Sequence, residues 1–398
     1  MLSKKRASIL LIVLVTIAFA SLALVAFIDR ASNDLLVAAR VAEANRLRAD
    51  AYSALEVTLG VLNEFIQADG GALHSPAEGW SDPLGFAGYE PASGRTIEVT
   101  FEDESGKLSL PHADANQLTN LFTSWGVTQS DAEELADALL TWMRKDHVAS
   151  TDAGTPDYDR ADIPYAAPQR SLRSFDELAA IDFVKKIFYD ENGQPNDLWH
   201  KFAATFSLYD FNPPNLNSAG SGTLTALGQS DPTLQNQLSS YLQGTGDYKQ
   251  QGPGYFKSTA DANNLFGAQA VPQGVGTQIL ALRIIVTVHE DNSSFRLETV
   301  VTQKNQAKAI ASTEQVTLPD GTTTNTPGVP LPATASNGPA SPANNSPGPA
   351  TPATPASTGA SATTTVQLNY PFTLLEVHEE IIDNPAKTSP SPNDSPST

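Results

Sequence analysis

The sequence predicts an α+β fold: a long N-terminal helix packed on an antiparallel sheet, with an inserted all-helical domain and a disordered Pro/Thr/Ala-rich insertion. Three observations support this class. Apolar residues keep helical spacing from residue 7 to residue 67, with no proline in that stretch. Strand-like alternation occurs at 96–101 and again from 277 onward. The segments between these two regions have helical periodicity.

The first half of the N-terminal helix is apolar on all sides. Ala7 to Ile28 contains 22 residues without a charge. A helix of that length rises about 33 Å, enough to cross a hydrocarbon core of about 30 Å. Because Lys4, Lys5 and Arg6 precede it, we expect a single-pass anchor with a short cytoplasmic N-terminus and an exported body. A cleaved signal peptide and a simple uncleaved anchor are the alternatives.

The second half of the helix is amphipathic, and only Gly60 interrupts the good helix formers between residues 31 and 67. Its apolar stripe predicts packing of helix against helix with partner subunits, and also with this chain's own sheet. The predicted partner-helix contacts are Leu35, Ala39, Leu55, Leu59, Leu62 and Ile66.

Composition excludes several classes of function. A net charge of −20 disfavours binding to nucleic acid, because phosphate would be repelled over most of the surface. The chain has no cysteine, so disulfides, thiol catalysis and thiolate metal sites are excluded. Its six histidines show no HExxH or paired spacing, so no zinc site is predicted. Asp157 and Asp159 form a carboxylate pair, but no nucleophile–base motif accompanies them, so we do not expect an enzyme.

The middle of the chain predicts a hairpin followed by helices. Residues 96–101 and 107–110 flank the turn Asp103-Glu104-Ser105-Gly106, and Ile97, Val99 and Phe101 share the face expected to lie against the long helix. Ser130 and Glu133 form a capping-box pair at the start of a helix that presents Leu135, Ala138, Leu139 and Trp142 to a core. The predicted helical segments are 116–125, 130–143, 176–181, 198–206, 223–228 and 232–243.

The C-terminal third predicts a long loop, two strands, a disordered tract and a last strand. Residues 244–276 are rich in Gly and Asn, which is typical of a loop, and 277–289 and 294–304 form a hairpin. Residues 311–365 have almost no large apolar residue, so they cannot offset their chain entropy and are expected to be disordered. Residues 366–382 then return to the sheet, with Leu374 and Val377 as expected anchors.

Several motifs in this order resemble the minor pseudopilins of the protein K family of type II secretion. The most specific is the hexapeptide from Asp103 to Leu108, DESGKL. The others are Ala138–Trp142 (ALLTW), Ser174–Leu178 (SFDEL) and Asn215–Ala219 (NLNSA) followed by Leu224 and Leu227. The resemblance covers about residues 1–230 well and 277–304 weakly.

The resemblance implies a pilin-like frame and processing by prepilin peptidase between Ala7 and Ser8, although family members usually carry Gly where Ala7 stands. Most pilins have a glutamate at the position of Ile12, whereas protein K is usually apolar there. The implied organisation is a leader at 1–7, the membrane half of the helix at 8–30, helix and first strands at 31–112, the inserted helical domain at 113–245, loop and strands at 246–310, the disordered insertion at 311–365, the last strand at 366–382 and a tail at 383–398.

The function implied by the resemblance is that of a minor pseudopilin in the inner membrane, with a periplasmic body, at the tip of a pseudopilus that exports folded proteins. Minor pseudopilins I and J, the major pseudopilin and prepilin peptidase are the implied partners. A minor pilin of a type IV pilus or competence pseudopilus is an alternative. A membrane-anchored helix-hairpin-helix protein that binds DNA through Lys185, Lys186 and Lys201 is another.

Some members of the family bind calcium in the helical domain, after the Trp-containing helix. The corresponding loop here offers carboxylates at Asp146, Asp152, Asp157, Asp159 and Asp162. The sequence departs from the family pattern because Arg144 stands where an acid is common. The alternative is a solvated acidic loop whose carboxylates pair with Lys145 and Arg160.

Overall fold

The computed structural model describes residues 3–154, 158, 165–267, 271–291, 293–303, 306–309, 316–317, 323–324 and 371–383. For residues 3–13, 316–317, 323–324 and 383 only the backbone is described. The chain divides into two compact units. The first comprises 1–310 and 372–398, and it contains the frame and the helical insertion. The second comprises 311–371.

Helix α1 (Ser3–Ala68) is continuous, as the apolar spacing predicts. Its last third packs on the sheet because Leu47, Leu55, Leu59 and Leu62 are buried together with strand residues. The expected contact of the 97–101 face is confirmed: alternate residues of the first strand pack against this same core. The chain then reverses through a 3₁₀ turn (Pro76–Glu78) and a short helix α2 (Pro83–Ala87).

The sheet is antiparallel, with the order β1 (Arg95–Asp103), β4 (Leu282–Glu290), β5 (Ser293–Gln303) and β8 (Phe372–Asp383). The predicted β4–β5 hairpin is confirmed. The predicted hairpin at 96–110 is wrong, because β1 pairs with β4 rather than with the short strand β2 (Leu108–Ser109). A 3₁₀ turn at Glu104–Gly106 follows β1 and leads the chain away from it, so β2 pairs in parallel with β3 (Phe206–Ser207).

The helical insertion has its own core, built from residues between 108 and 206. Its helices are α3 (Ala115–Ser124), α4 (Gln129–Met143), α5 (Asp182–Phe188) and α6 (Asp197–Thr205). The predicted stripe of α4 is confirmed by the burial of all four residues. The predicted cap is wrong: Thr128, not Ser130, accepts the hydrogen bond from the Asp131 amide. The predicted helix after Ser174 is a 3₁₀ helix, Phe175–Ala180.

A smaller cluster lies around α7 (Ser221–Ala226) and α8 (Pro232–Gln243). The prediction of one long loop after α8 is wrong, because α9 (Thr259–Phe266) lies within it. Ser258 and Asp261 form a reciprocal capping box that starts this helix, and the burial of Ala262 holds it in the cluster.

Strand β8 occupies the edge next to β5, as the strand-like residues near 366–382 predict. The prediction that Leu374 and Val377 anchor this strand is wrong, because they are 46% and 43% exposed. Phe372 is 6% exposed and enters the core instead. The edge position explains this, because α1 covers β4 and β5 more fully than it covers β8. Apart from the paired strands β6 (Val316–Thr317) and β7 (Thr323–Thr324) in the second unit, the predicted disordered tract lies outside the described residues.

Candidate functional site

The apolar half of α1 is the first candidate functional surface. Within the described residues, α1 is long and apolar enough to cross a membrane, with a mean hydropathy of 1.9 over its most apolar window and none of that window buried. Large side chains from Leu14 to Ile28 are exposed. The predicted processing residues Ala7 and Ser8 lie in α1, within the part of which only the backbone is described.

An exposed apolar segment of α1 continues beyond this run, at Leu35, Leu36, Val37 and Val41. Of the predicted partner contacts, Leu35 and Ala39 are exposed and remain predictions. For Leu55, Leu59 and Leu62 the prediction of partner contact is wrong, because the chain's own sheet covers them. Ile66 is partly buried against the same core. We call the exposed stretch from residue 35 to residue 41 the stem surface.

The acidic loop follows α4, and Asp137 of that helix organises its first half. The Asp137 carboxylate accepts hydrogen bonds from the amides of Ser150 and Thr151, and it pairs with His147 at 2.7 Å. Burial alone would raise the pKa of Asp137. The hydrogen bonds from His147 and Thr151 outweigh burial, and its pKa is lowered.

Two of the predicted calcium ligands, Asp146 and Asp152, are exposed in this loop. Asp157, Asp159 and Asp162 lie outside the described residues, so the calcium prediction stays a prediction. Arg144, which departs from the family pattern, is turned toward the start of α3: its Nη2 donates to the carbonyl oxygens of Pro111 and Ala113. Its charge is therefore held against two backbone carbonyls.

The motif from Asp103 to Leu108 and the Asn215–Ala219 turn meet at the base of the helical insertion. Asp103 accepts hydrogen bonds from the amide of Ser105, from Asn215 Nδ2 at 2.7 Å and from the hydroxyl of Ser218. Ser105 Oγ in turn accepts from the amide of Leu280, just before β4. We call Asp103, Ser105, Asn215 and Ser218 the junction network, because it joins the sheet to the helical insertion.

The junction network is sterically tight and mostly buried: Ser105 and Asn215 are buried, Asp103 is half-buried and Ser218 lies at the surface. Burial raises the pKa of Asp103 to about 6, although the surrounding hydrogen bonds favour its charged form. A Cβ atom added at Gly106 would lie 2.6 Å from the carbonyl oxygen of Ser218, so only glycine fits there. Sequence reasoning singled out both motifs but not their contact, since they are more than 100 residues apart.

Beside the junction network, Glu104 is a buried carboxylate with 3% of its side chain exposed. Arg283 of β4 reaches it at 2.6 Å, and Lys107 lies 3.4 Å away. Burial would raise the pKa of Glu104, but these two cations outweigh it and the pKa is lowered. Two consecutive acids of one motif are therefore held in different ways, Asp103 by hydroxyl and amide groups and Glu104 by cations.

The Asn215–Ala219 turn serves internal packing through Asn217. Asn217 Nδ2 donates to the carbonyl oxygens of Phe256 and Thr277, both at 2.9 Å. The side-chain oxygen Oδ1 of Asn217 accepts from the backbone amide of Phe256. This side chain thus ties the turn to the loop before α9 and to the segment before β4.

Comparison with known proteins identifies one family. Residues 101–191 match the family model of type II secretion system protein K, first domain. The match begins in β1, includes the Asp103–Leu108 motif and ends just after α5. No curated protein matches the chain.

A solved structure is also similar: the GspK-GspI-GspJ complex of the type 2 secretion system from enterotoxigenic Escherichia coli. The matching chain is 15% identical, with a TM-score of 0.44, over 66% of this chain and 93% of that chain. At that TM-score the similarity carries no argument about function.

Proposed function

We infer from the match over residues 101–191 that the chain belongs to the protein K family of type II secretion systems, and we propose that it is a minor pseudopilin at the tip of the pseudopilus. The observation that carries this function is the family's first domain placed on a frame of one long helix and an antiparallel sheet. A protein of this kind is a structural subunit rather than an enzyme.

A tip position is supported by the bulk of the helical insertion and by Ile12. Pilin subunits stack through their N-terminal helices, and an acid buried in an apolar environment is costly unless it is paired. Because Ile12 is apolar, this chain does not need an amine from a neighbouring subunit stacked above it. The insertion, with its own core between residues 108 and 206, would block further stacking at that end.

We propose that α1 anchors the chain in the inner membrane before assembly, with its N-terminus cytoplasmic and the rest periplasmic. The exposed apolar side chains from Leu14 to Ile28 and the basic residues at 4–6 support this orientation. Prepilin peptidase would then cut between Ala7 and Ser8 on the cytoplasmic side. Mass spectrometry of the mature N-terminus tests this: a peptide that begins at Ser8 is expected, and an intact Met1 would contradict it.

The proposed partners are minor pseudopilins I and J and the major pseudopilin. The solved complex of the similar chain contains GspI and GspJ. In this chain the stem surface offers apolar side chains to a partner helix, with Leu35 72% exposed. Packing between helices through such side chains is the contact expected for subunits that leave the bilayer together.

The absence of native cysteine allows a direct test of this contact. Single cysteines at Leu35 (L35C) and at Val148 (V148C) sit on two highly exposed sites, one on the stem surface and one on the acidic loop. Oxidation in cells with matched single-cysteine partners is expected to cross-link L35C, but not V148C, to a minor pseudopilin. Equal cross-linking at both sites would contradict a stem interface.

A deletion strain tests the function as a whole. Loss of the gene is expected to stop export of folded proteins to the medium, and the full chain should restore it. Twitching motility and DNA uptake are measured in the same strain. If these two activities fail while export continues, the chain serves a type IV pilus or a competence pseudopilus instead.

We further propose that the acidic loop binds calcium through Asp146, Asp152, Asp157 and Asp159. The turning of Arg144 toward the carbonyls of Pro111 and Ala113 supports this, since the guanidinium is held outside the loop. Calorimetric titration of the full chain should give saturable binding that D152N weakens. No heat and no thermal shift at about millimolar calcium, where weak extracellular sites are already filled, would rule the site out.

A further inference from the structure

The turn after α1 brings together three potential metal ligands that the function described above does not use. Asp69 directly follows α1, His74 lies in the loop and Glu78 ends the 3₁₀ turn. Their ligand atoms, Asp69 Oδ2, His74 Nδ1 and Glu78 Oε1, all lie within 4.8 Å of one another. We call these three residues the turn site.

The chain conformation that builds the turn site is specific. Gly70 and Gly71 adopt positive φ angles of 74° and 102°, which reverse the chain at low cost directly after the helix. Ser75 caps the 3₁₀ turn through the amide of Ala77, and this places Glu78 back over His74. The ligands are thus held by backbone geometry within one short segment.

The turn site is mostly buried and incompletely satisfied. The side chains of His74 and Glu78 are 6% and 4% exposed, and that of Asp69 is 26% exposed. Asp69 Oδ2 is buried and receives no hydrogen bond, although it lies 3.3 Å from His74 Nδ1. An unpaired carboxylate oxygen at such a place costs folding free energy unless a cation meets it.

The spacing suits a small cation. Four ligands at about 2.0–2.1 Å from a tetrahedral zinc ion lie about 3.3 Å apart. The Asp69–His74 pair has this separation, and Glu78 Oε1, at 2.7 Å from His74 Nδ1, would need to withdraw slightly.

The surrounding groups orient the ligands from outside. Trp80, which is fully buried, donates from Nε1 to Glu78 Oε2 at 3.0 Å, leaving Oε1 directed at His74. The ammonium group of Lys257 binds Asp69 Oδ1, leaving Oδ2 directed at the site. Partners of this kind fix carboxylate ligands in metal sites.

We propose that Asp69, His74 and Glu78 bind a zinc ion, with water as the fourth ligand, and that the ion staples the end of α1 to the loop that follows. An imidazole nitrogen with two carboxylate oxygens favours zinc over calcium or magnesium, which take oxygen ligands. The His74 carbonyl oxygen accepts a hydrogen bond from Asn215, so the staple also supports the junction network. The role is structural, and it does not depend on the pseudopilin function.

The test uses the full chain, purified in detergent without a polyhistidine tag and stripped of metal. Calorimetric titration with zinc chloride is expected to show one saturable site, and cobalt is expected to give the visible absorption of a tetrahedral site. H74Q and E78Q each remove a direct ligand of the ion. Each should therefore weaken zinc binding by more than the about 10–100-fold loss that is typical when a residue that only orients a ligand is replaced. The matched control is H112Q, which removes an exposed histidine that pairs with Asp210 away from the turn site and should leave zinc affinity unchanged.

Three results would overturn the proposal: no saturable zinc binding, unchanged affinity in H74Q, or displacement of zinc by equimolar calcium. If H74Q or E78Q fails to fold, judged by circular dichroism, the cobalt spectrum of the unmodified chain decides. A spectrum without tetrahedral bands then rejects the site. D152N, in the acidic loop, should leave zinc binding unaltered, so the zinc result is independent of the calcium experiment.

Discussion

Replacement of Asp103 by asparagine is expected to change how the stability of the fold depends on pH. Burial raises the pKa of Asp103 to about 6, against 3.8 for the free side chain. A carboxyl group whose pKa is higher in the folded chain stabilises the fold fully below the unfolded pKa, and this contribution is lost as the pH rises through the folded pKa. The two pKa values correspond to about 3 kcal/mol of unfolding free energy.

D103N has no proton to lose at this position. Comparison with the unmodified chain therefore isolates the pH-dependent contribution of the Asp103 carboxyl group to stability. The difference in unfolding free energy between the two proteins should change by about 3 kcal/mol between about pH 3, below the unfolded pKa, and about pH 7, above the folded pKa. The unmodified chain should be relatively more stable at the acidic end. Urea unfolding in detergent, followed by tryptophan fluorescence, measures this, since all the tryptophans lie beyond α1.

D137N is the control of opposite sign. The pKa of Asp137 is lowered in the fold, so its contribution to stability is present above the unfolded pKa and is lost as the pH falls. The difference between the unmodified chain and D137N should therefore grow toward neutral pH. A difference for D103N that stays constant with pH, or that also grows toward neutral pH, would refute the reasoning about burial.

Two further predictions concern packing. G106A should lower the unfolding free energy by about 1–3 kcal/mol, because its Cβ would meet the Ser218 carbonyl oxygen at 2.6 Å. In contrast, G60A, where a Cβ meets nothing within 4 Å on an exposed helix face, should raise it by about 0.5–1 kcal/mol. Urea midpoints of the two variants decide, and equal changes would contradict the steric argument. L62A, at a fully buried position between α1 and the sheet, should cost about 3–5 kcal/mol, whereas L35A should change stability by less than about 0.5 kcal/mol. If L35A abolishes export without unfolding the chain, the stem interface gains direct support.

Local patterns predicted most of the helices and the β4–β5 hairpin, because helix periodicity and a tight turn between adjacent strands are properties of contiguous residues. Where local rules competed, prediction failed. Thr128 rather than Ser130 caps α4, and α9 starts at a Ser258–Asp261 box within a stretch whose Gly and Asn content favoured a loop. Both caps are a Ser or Thr followed three residues later by Asp, so the sequence carried a signal for each of them.

The pairing of β1 was beyond local reasoning. Its partner β4 lies across the whole helical insertion, and its register is determined by the burial of Ile97, Val99 and Phe101 with the far strand. The nearby β2 is only two residues long and is drawn to β3 instead. The hairpin prediction was wrong because the 3₁₀ turn at 104–106 directs the chain away from β1.

Of the candidate sites, the apolar helix and the stem surface follow from the sequence alone, since exposure to a membrane or partner requires only a long apolar helix. The difference in exposure between Leu35 and Leu55 does not follow from the sequence. Leu35 is exposed, whereas Leu55 is covered by the chain's own sheet. The junction network, which brings Asp103 to Asn215, does not follow from the sequence either. Nor does the turn site, which brings Asp69 to Glu78. Side-chain contacts of this kind are set by long-range packing and by the exact reversal of the backbone. The sequence by itself therefore determined the long helix and the helical insertion, because both follow from the periodicity of contiguous residues, and the tertiary structure alone decided which residues meet within them.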